Sequence, residues 1–302
     1  MVKDWGDDER RLTGSVSVLV GAADGTYPAG NALLVRGRAE TIIVDPSITV
    51  VDKGGAPTRV DAVVNSHSHE DHIAGNGFFA DARVHVHVED LPGVRSLRGL
   101  MDVYGLPMDH PLAHDVVEHY YYAPRPDAQG FEDGHVFDLG GTTIEAVHLP
   151  GHTRGHSGFR VTDGVFFLAD IDLTGFGPYY GDAWSDLEDF EASLVKVRDE
   201  DAEYYVTSHH KGVVHGRDQM LRLLDAFGAV IQRRHTAMLE FLTEPHSLDE
   251  MVAHRFIYRP HVELSYVEAV EHRSAELHVA RMLQRGEAAE VEPGRYQRLS
   301  SP

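Results

Sequence analysis

The chain has 302 residues, 42% of them hydrophobic, which is enough for one large α/β core or a catalytic domain with a small appendage and excludes disorder, collagen and coiled coil. Lys+Arg 27 against Asp+Glu 48 leaves a net charge of −21 at pH 7, and with only four lysines the chain is not expected to bind duplex DNA by phosphate neutralisation. No stretch approaches the roughly eighteen apolar residues of a membrane span, and the N-terminus MVKDWGDDERR opens on charge, so the expected compartment is the cytoplasm, with no membrane partner.

From Ser15 to about Asp138 short β-rich runs alternate with turns: SVSVLV, NALLV, TIIVDP, VDAVVNS and RVHVHV. Val16, Val18 and Val20 alternate as in a strand with one strongly buried face, and Gly37 and Gly54-Gly55 punctuate the runs. The segment from Glu89 to Gln129, rich in His, Pro and Tyr, is the least regular and is expected to be a long insertion or lid. TTIEAVHL and GVFFLAD follow as strands. Ser185 and Glu188 then form a capping-box pattern before a helix carrying Leu187, Phe190, Leu194 and Val197. After YYVTS the texture changes at Arg217 to long helical periodicity through Met220, Leu223, Leu224, Phe227 and Ile231, with a second capping box at Ser247 and Glu250. Charge divides the chain at the same place: residues 1–216 hold 16 basic against 35 acidic side chains, and residues 217–302 hold 11 against 13, with every cation an arginine. The expected domains are therefore a catalytic domain over 1–216 and a helical domain over 217–302.

The absence of cysteine removes disulfides, thiolate nucleophiles, Fe–S clusters and Cys-bound zinc together, so any metal must be held by His, Asp or Glu. The 21 histidines offer such a set. Directly after VDAVV come Asn65-Ser66-His67-Ser68-His69-Glu70-Asp71-His72, with four candidate ligands in six positions. If the chain leaves a strand and enters a helix here, His67 and His69 converge from the loop while Asp71 and His72 point elsewhere from the first turn, and the segment can serve two metals. Later strand ends supply more donors: Pro150-Gly151-His152-Thr153-Arg154-Gly155-His156-Ser157 after AVHL, Asp170 after VFFLA, and His209 after YYVTS. Such a nitrogen and carboxylate set suits two Zn²⁺ per chain first and Fe or Mn second.

This order of motifs resembles the metallo-β-lactamase superfamily over roughly residues 15–216. The resemblance implies an α/β fold of the αββα sandwich type with a metal site at one edge of the two sheets. It also implies that His67, His69 and His152 hold one metal, that Asp71, His72 and His209 hold the second, and that Asp170 bridges them. Two such ions lower the pKa of a shared water from about 15.7 toward about 7 and polarise a carbonyl or phosphoryl oxygen. Asp71 would then be catalytic as well, orienting the bridging hydroxide. The tail resembles the winged-helix appendage of the lactamase-β-like group, which includes thioesterase-like hydrolases and a single-strand endoribonuclease. It is expected to read as helix, helix and hairpin, packing on the catalytic domain or forming a homo-oligomer interface, and walling the active site.

Neighbouring residues have alternatives. His210 competes with His209, and Asp172 with Asp170. His156 is read as a structural hydrogen-bonding partner at the base of the site, and His85 and His87 as an exposed strand face. His110, His114 and His119 are read as solvated loop residues. Tyr179 and Tyr180 are candidate substrate-binding residues that could stabilise an oxyanion. The expected function is a dinuclear zinc hydrolase of a small-molecule acyl substrate, a thioester or lactone. Two alternatives stand beside it. A single-stranded RNA phosphodiesterase would place Arg217, Arg222, Arg281 or Arg285 in a groove leading to the metals, and an iron-dependent persulfide dioxygenase-like enzyme shares the His67 and His69 pattern. A thioesterase should carry an apolar pocket around Phe131, Tyr120 and Tyr121.

Overall fold

The computed structural model describes residues 3–299. The first sheet is laid down in chain order by β1 (Glu9–Arg11), β2 (Val16–Leu19), β3 (Ala32–Arg36), β4 (Thr41–Val44), β5 (Ala62–Val64), β6 (Arg83–His87) and β7 (Gln129–Phe131). It is antiparallel as far as β4 and parallel from β4 to β7. Six short helices punctuate it: α1 (Ala22–Gly25), α2 (Ile48–Asp52), α3 (Glu70–Ile73), α4 (Leu91–Arg95), α5 (Leu97–Tyr104) and α6 (Pro111–Glu118). The second sheet holds β8 (Val136–Asp138), β9 (Thr143–His148), β10 (Ser157–Val161), β11 (Val165–Ala169), β12 (Tyr204–Thr207) and β13 (Val213–His215), again neighbours in chain order, with only β11 and β12 parallel. Two long helices, α7 (Leu187–Arg198) and α8 (Arg217–Phe241), cover it.

The layers follow from which face each strand buries. Val16, Val18, Leu33, Val35, Ile42 and Val44 of the first sheet meet Ile144, Phe159, Val165, Phe167 and Val206 of the second to form the inner core. The opposite face of the first sheet, with Leu34, Ile43 and Val63, packs on Val94, Leu100, Met101 and Val116. The outer face of the second, with Phe166, Leu168 and Tyr205, packs on Phe190, Val197, Met220 and Phe227. The result is an αββα sandwich, as the resemblance implies. Emptying the centre, as in Phe167→Ala, would cost about 3–5 kcal/mol.

Two expectations fail here. The stretch from Glu89 to Gln129 is not a lid: α4, α5 and α6 form a packed layer, with Leu112 and Ala113 also buried. Three of its Pro and His residues mislead because they sit at helix starts, Pro92 and Pro111 in the first turns and His110 capping α6. Ser185 is not the cap of α7 either. Asp186, one residue on, accepts from the amide of Asp189 at 2.9 Å, while the Ser185 hydroxyl is taken by the carbonyl of His152 at 2.7 Å.

The capping box at Ser247 and Glu250 is present. It opens α9 (Leu248–His254), which follows β14 (His246–Ser247) and precedes α10 (Val267–Arg285), β15 (Ala288–Glu292) and β16 (Arg295–Arg298). The small sheet order is β14-β16-β15, the arrangement of a winged helix. The C-terminal half of α8 joins this unit through Met238, which packs with Met251, Val279 and Met282, while its N-terminal half belongs to the sandwich. No helix among the described residues is long and apolar enough to cross a membrane.

Candidate metal centre

Donors arrive from four loops at one edge of the sandwich. The parallel strand β5 ends at Val64, and the chain runs through Ser66 to His69, the N-cap residue of α3. His67 and His69 thus lie in the loop, and Asp71 and His72 in the first helical turn. His152 comes from the loop between β9 and β10. There Gly151 takes φ +123° and its absent Cβ would meet the Phe190 backbone at 2.3 Å, so glycine lets this loop press onto α7. A bulge between Phe167 and Ala169, with left-handed Ala169 (φ 48°), turns Asp170 out of β11. His209 follows β12, before left-handed His210 (φ 55°).

Two groups of donors result: His67, His69, His152 and Asp170, and beside them Asp71, His72 and His209, with the donor atoms within 4.8 Å of one another in each. Asp170 faces both. Its Oδ2 lies 3.3 Å from His152 Nε2 and 4.0 Å from His67 Nε2, while Oδ1 lies 3.0 Å from His72 Nε2 and 3.7 Å from His209 Nε2. Asp71 Oδ2 stands 3.0 Å from His209 Nε2 and 3.5 Å from His72 Nε2.

The groups behind the rings decide which nitrogen is free. His152 Nδ1 donates to the Tyr179 carbonyl at 2.9 Å and His209 Nδ1 to the Gly25 carbonyl at 3.0 Å. His72 Nδ1 lies 2.9 Å from Asp45 Oδ2, and His67 Nδ1 lies 2.9 Å from the Ser66 hydroxyl, which itself donates to Asp45. Each ring therefore spends its N–H on an outer partner and turns a bare Nε2 inward. His67 and His152 then oppose two lone pairs at 3.2 Å, and the buried Nε2 atoms of His69, His72 and His209 face carboxylate oxygens of Asp182, Asp170 and Asp71 at 2.9, 3.0 and 3.0 Å, lone pair to lone pair unless a proton or cation lies between. Only protons or cations relieve such a set, so these residues fit divalent metal ions. Protons take that role in the ion-free protein. Burial pushes His209 down, but Asp170 and Asp71 overcome it and hold the ring up to about 10. His69 is likewise lowered by burial but raised by Asp182, to about 9. His67, with burial and its histidine neighbours acting together, is held well below the usual histidine value.

The remaining sequence candidates separate cleanly. His210 and Asp172 line the adjoining cavity and lie outside both donor groups. His156 is structural, bonding the Leu149 carbonyl and accepting from the Asp170 amide. His85 and His87 do not form an exposed face: His85 packs edge-on against Phe137, and buried His87 stacks on His148 at 4.0 Å, because this strand face meets the second sheet. His114 and His119 are exposed. Tyr179 lines the cavity and donates its hydroxyl to Asp182. Tyr180 does not line it. The next residue along an extended loop faces the other way, and Tyr180 is buried in the second helical layer with its hydroxyl against His278. The expected pocket around Phe131, Tyr120 and Tyr121 is absent too: Phe131 fills the inner core and Tyr121 bonds Asp52 at the surface, leaving only Tyr120 close by, bonded to Tyr27. Arg281 is buried between Glu188 and Glu191, and Arg217 donates to the Arg198 carbonyl.

Four carboxylates carry roles that the sequence did not disclose. Asp45 backs two rings. Asp90 gathers Ser68, Thr153 and the Gly155 amide, tying the His67–His69 loop to the His152 loop. Buried Asp182 places Oδ2 2.9 Å from His69 Nε2. Glu70 accepts from the hydroxyls of Tyr27 and Tyr104.

A family model described as the Metallo-beta-lactamase superfamily matches residues 25–209, the whole stretch bearing these donors. The chain belongs to that superfamily. Its relatives include a hydroxyacylglutathione hydrolase of Aeromonas salmonicida, 27% identical over 147 residues, or 47% of this chain and 46% of that one. They also include an atrochrysone carboxyl ACP thioesterase of Pseudocercospora fijiensis, 26% identical over 195 residues, or 61% and 48%. The chain thus spans about half the length of these two relatives. Among solved structures, a metallo-beta-lactamase family protein of Thermus thermophilus has a TM-score of 0.72 at 22% identity, covering 96% of this chain and 100% of the other. A beta-lactamase domain protein of Burkholderia ambifaria has 0.70 at 17%, covering 99% and 95%. At such identities the two superfamily structures share the fold with this chain, over a span that includes its winged-helix unit.

Proposed function

We propose that this superfamily member is a dinuclear metal-dependent hydrolase that cleaves an acyl carbonyl bond, a thioester or lactone. The observation that carries the reading is Asp170, whose two carboxylate oxygens each face a separate set of inward-turned histidine nitrogens. The names of the two relatives, a hydroxyacylglutathione hydrolase and an ACP thioesterase, favour acyl chemistry. His67, His69 and His152 would hold one ion, Asp71, His72 and His209 the other, and Asp170 both. When bound, two such ions supply Lewis acidity and a water acidic enough to act as a nucleophile near neutral pH, with zinc the first choice for this donor set.

The protein's own part is orientation. Asp45 and the Tyr179 and Gly25 carbonyls fix the ring tautomers, and Asp90 locks two donor loops together. Asp71, on the cavity wall with Oδ2 3.0 Å from His209 Nε2, would help hold the second ion and orient the water beside it.

The test compares wild type with His67→Ala and Asp170→Ala for turnover of a thioester, a lactone and bis-p-nitrophenyl phosphate, with metal content read by inductively coupled plasma mass spectrometry. Acyl turnover is expected in wild type and should fall in both variants by more than the roughly 10–100-fold typical of residues behind the ligands, together with metal content. Full turnover in both variants, or turnover of the phosphodiester alone, contradicts the reading.

A further inference from the structure

The donor groups open into a cavity of about 320 Å³ whose walls come from both parts of the chain. The sandwich contributes Tyr27, Tyr104, Leu106, Leu112, Phe176 and Tyr179, and the winged-helix unit contributes Tyr258, Leu264, Tyr266, Ala269 and Val270. Among the described residues that line it there is no lysine or arginine, whereas Glu70, Asp172 and Asp182 are present. The apolar surface continues to the rim, where Phe176 and Leu264 stay 40% and 48% exposed.

The wall supplied by the second unit is built, not incidental. Buried Glu271 on α10 accepts from the backbone amides of Phe256, Ile257 and Tyr258, fixing the loop that presents Tyr258. Val270 sits against Gly181, where a Cβ would meet it at 2.3 Å. Arg234 on α8 donates to the Phe176 carbonyl at 2.7 Å and to that of Pro178, holding the opposite wall.

We propose that the group this cavity accepts is an uncharged, apolar acyl chain, seated between the metal-site loops and the winged-helix unit. This rests on the acyl hydrolase reading and narrows it. The volume is at the lower end of small-molecule sites, about 300–1,000 Å³, and so suits one acyl group and not a polymer. A carboxylate or phosphate at the far end of that group, seated against Tyr258, Leu264, Tyr266, Ala269 and Val270, would meet no lysine or arginine and would lose hydration without replacement. Any charged carrier portion of a thioester therefore stays outside the mouth. α10 becomes a specificity element, since each methylene seated against it adds apolar area removed from water.

The experiment uses metal-loaded full-length protein and three p-nitrophenyl esters: acetate, hexanoate, and the monoester of adipic acid, which matches hexanoate in length but ends in a carboxylate. The proposal predicts kcat/KM for hexanoate at least about tenfold above both others. It further predicts that Ala269→Trp, which fills the cavity from α10, brings the hexanoate-to-acetate ratio toward one while metal content stays at the wild-type level. Equal rates for hexanoate and adipate monoester, or an unchanged ratio in Ala269→Trp, overturn it. If no ester is turned over, calorimetric titration with N-hydroxyhexanamide and its carboxylate-ended analogue separates the two ideas. Preference for the neutral compound upholds the cavity and defeats the hydrolase reading, and equal affinity overturns the cavity itself.

Discussion

What makes the centre is less the seven inward donors than the atoms behind them. An imidazole can present either nitrogen, and here the choice is forced by a carboxylate, a hydroxyl or a carbonyl on the far side of His67, His72, His152 and His209. Asp45 reaches two of these rings, directly to His72 and through Ser66 to His67. Asp45→Ala should therefore weaken metal binding by about 10–100-fold, measured by competition against a chelating dye, with secondary structure retained by circular dichroism. Affinity at the wild-type level would show that the rings hold their orientation without it. The strand-end histidines were readable in the sequence because such clusters are rare and chemically specific, whereas preferring His209 to His210 and Asp170 to Asp172 rested on the family resemblance. Asp45, Asp90 and Asp182 were not, because a chain with 48 acidic residues offers no reason to single them out, and their partners lie far along it. Tyr179 and Tyr180 show the same limit at closer range: neighbours in an irregular loop face opposite ways, and no periodicity says which faces the cavity.

At the scale of elements, strands with alternating or continuous apolar runs were legible, while β1, β7, β8 and β13, three residues each, give too short a signal to read. Two helices of the Glu89–Gln129 stretch, α4 and α6, were obscured by the Pro and His residues that start them. A buried chain of polar groups joins α8 to α10 and had no signature at all: Tyr180 bonds His278, His278 bonds His235 at 3.1 Å, and His235 reaches Glu287 at 2.8 Å. Burial, aided by His235 and Arg281, holds His278 well below the usual histidine value. The unfolded chain takes up this proton near pH 6.5 and the folded chain resists it, so the unfolded state binds more protons as pH falls below about 6.5 and stability declines there. Melting temperature should drop between pH 7.5 and pH 5, with a shallower slope in His278→Gln. An identical slope would mean that this pair of helices does not contribute to the acid response.

At the scale of the molecule, two units with separate cores meet along α8 and enclose one cavity over the donors. The sandwich was visible in the sequence through the order of its motifs, and the C-terminal helices and hairpin through a capping box at Ser247 and a helix ending at Gly286. The seam between them was not visible, because which faces of two units meet depends on long-range packing that no local pattern encodes. The proposed function requires that paired metal ions in this cavity carry acyl hydrolysis. The most direct measurement adds zinc stepwise to chelator-stripped protein and follows thioester turnover. No turnover is expected at the start, then a rise that levels at two equivalents per chain. Turnover in the stripped protein, or none at any loading, would contradict it.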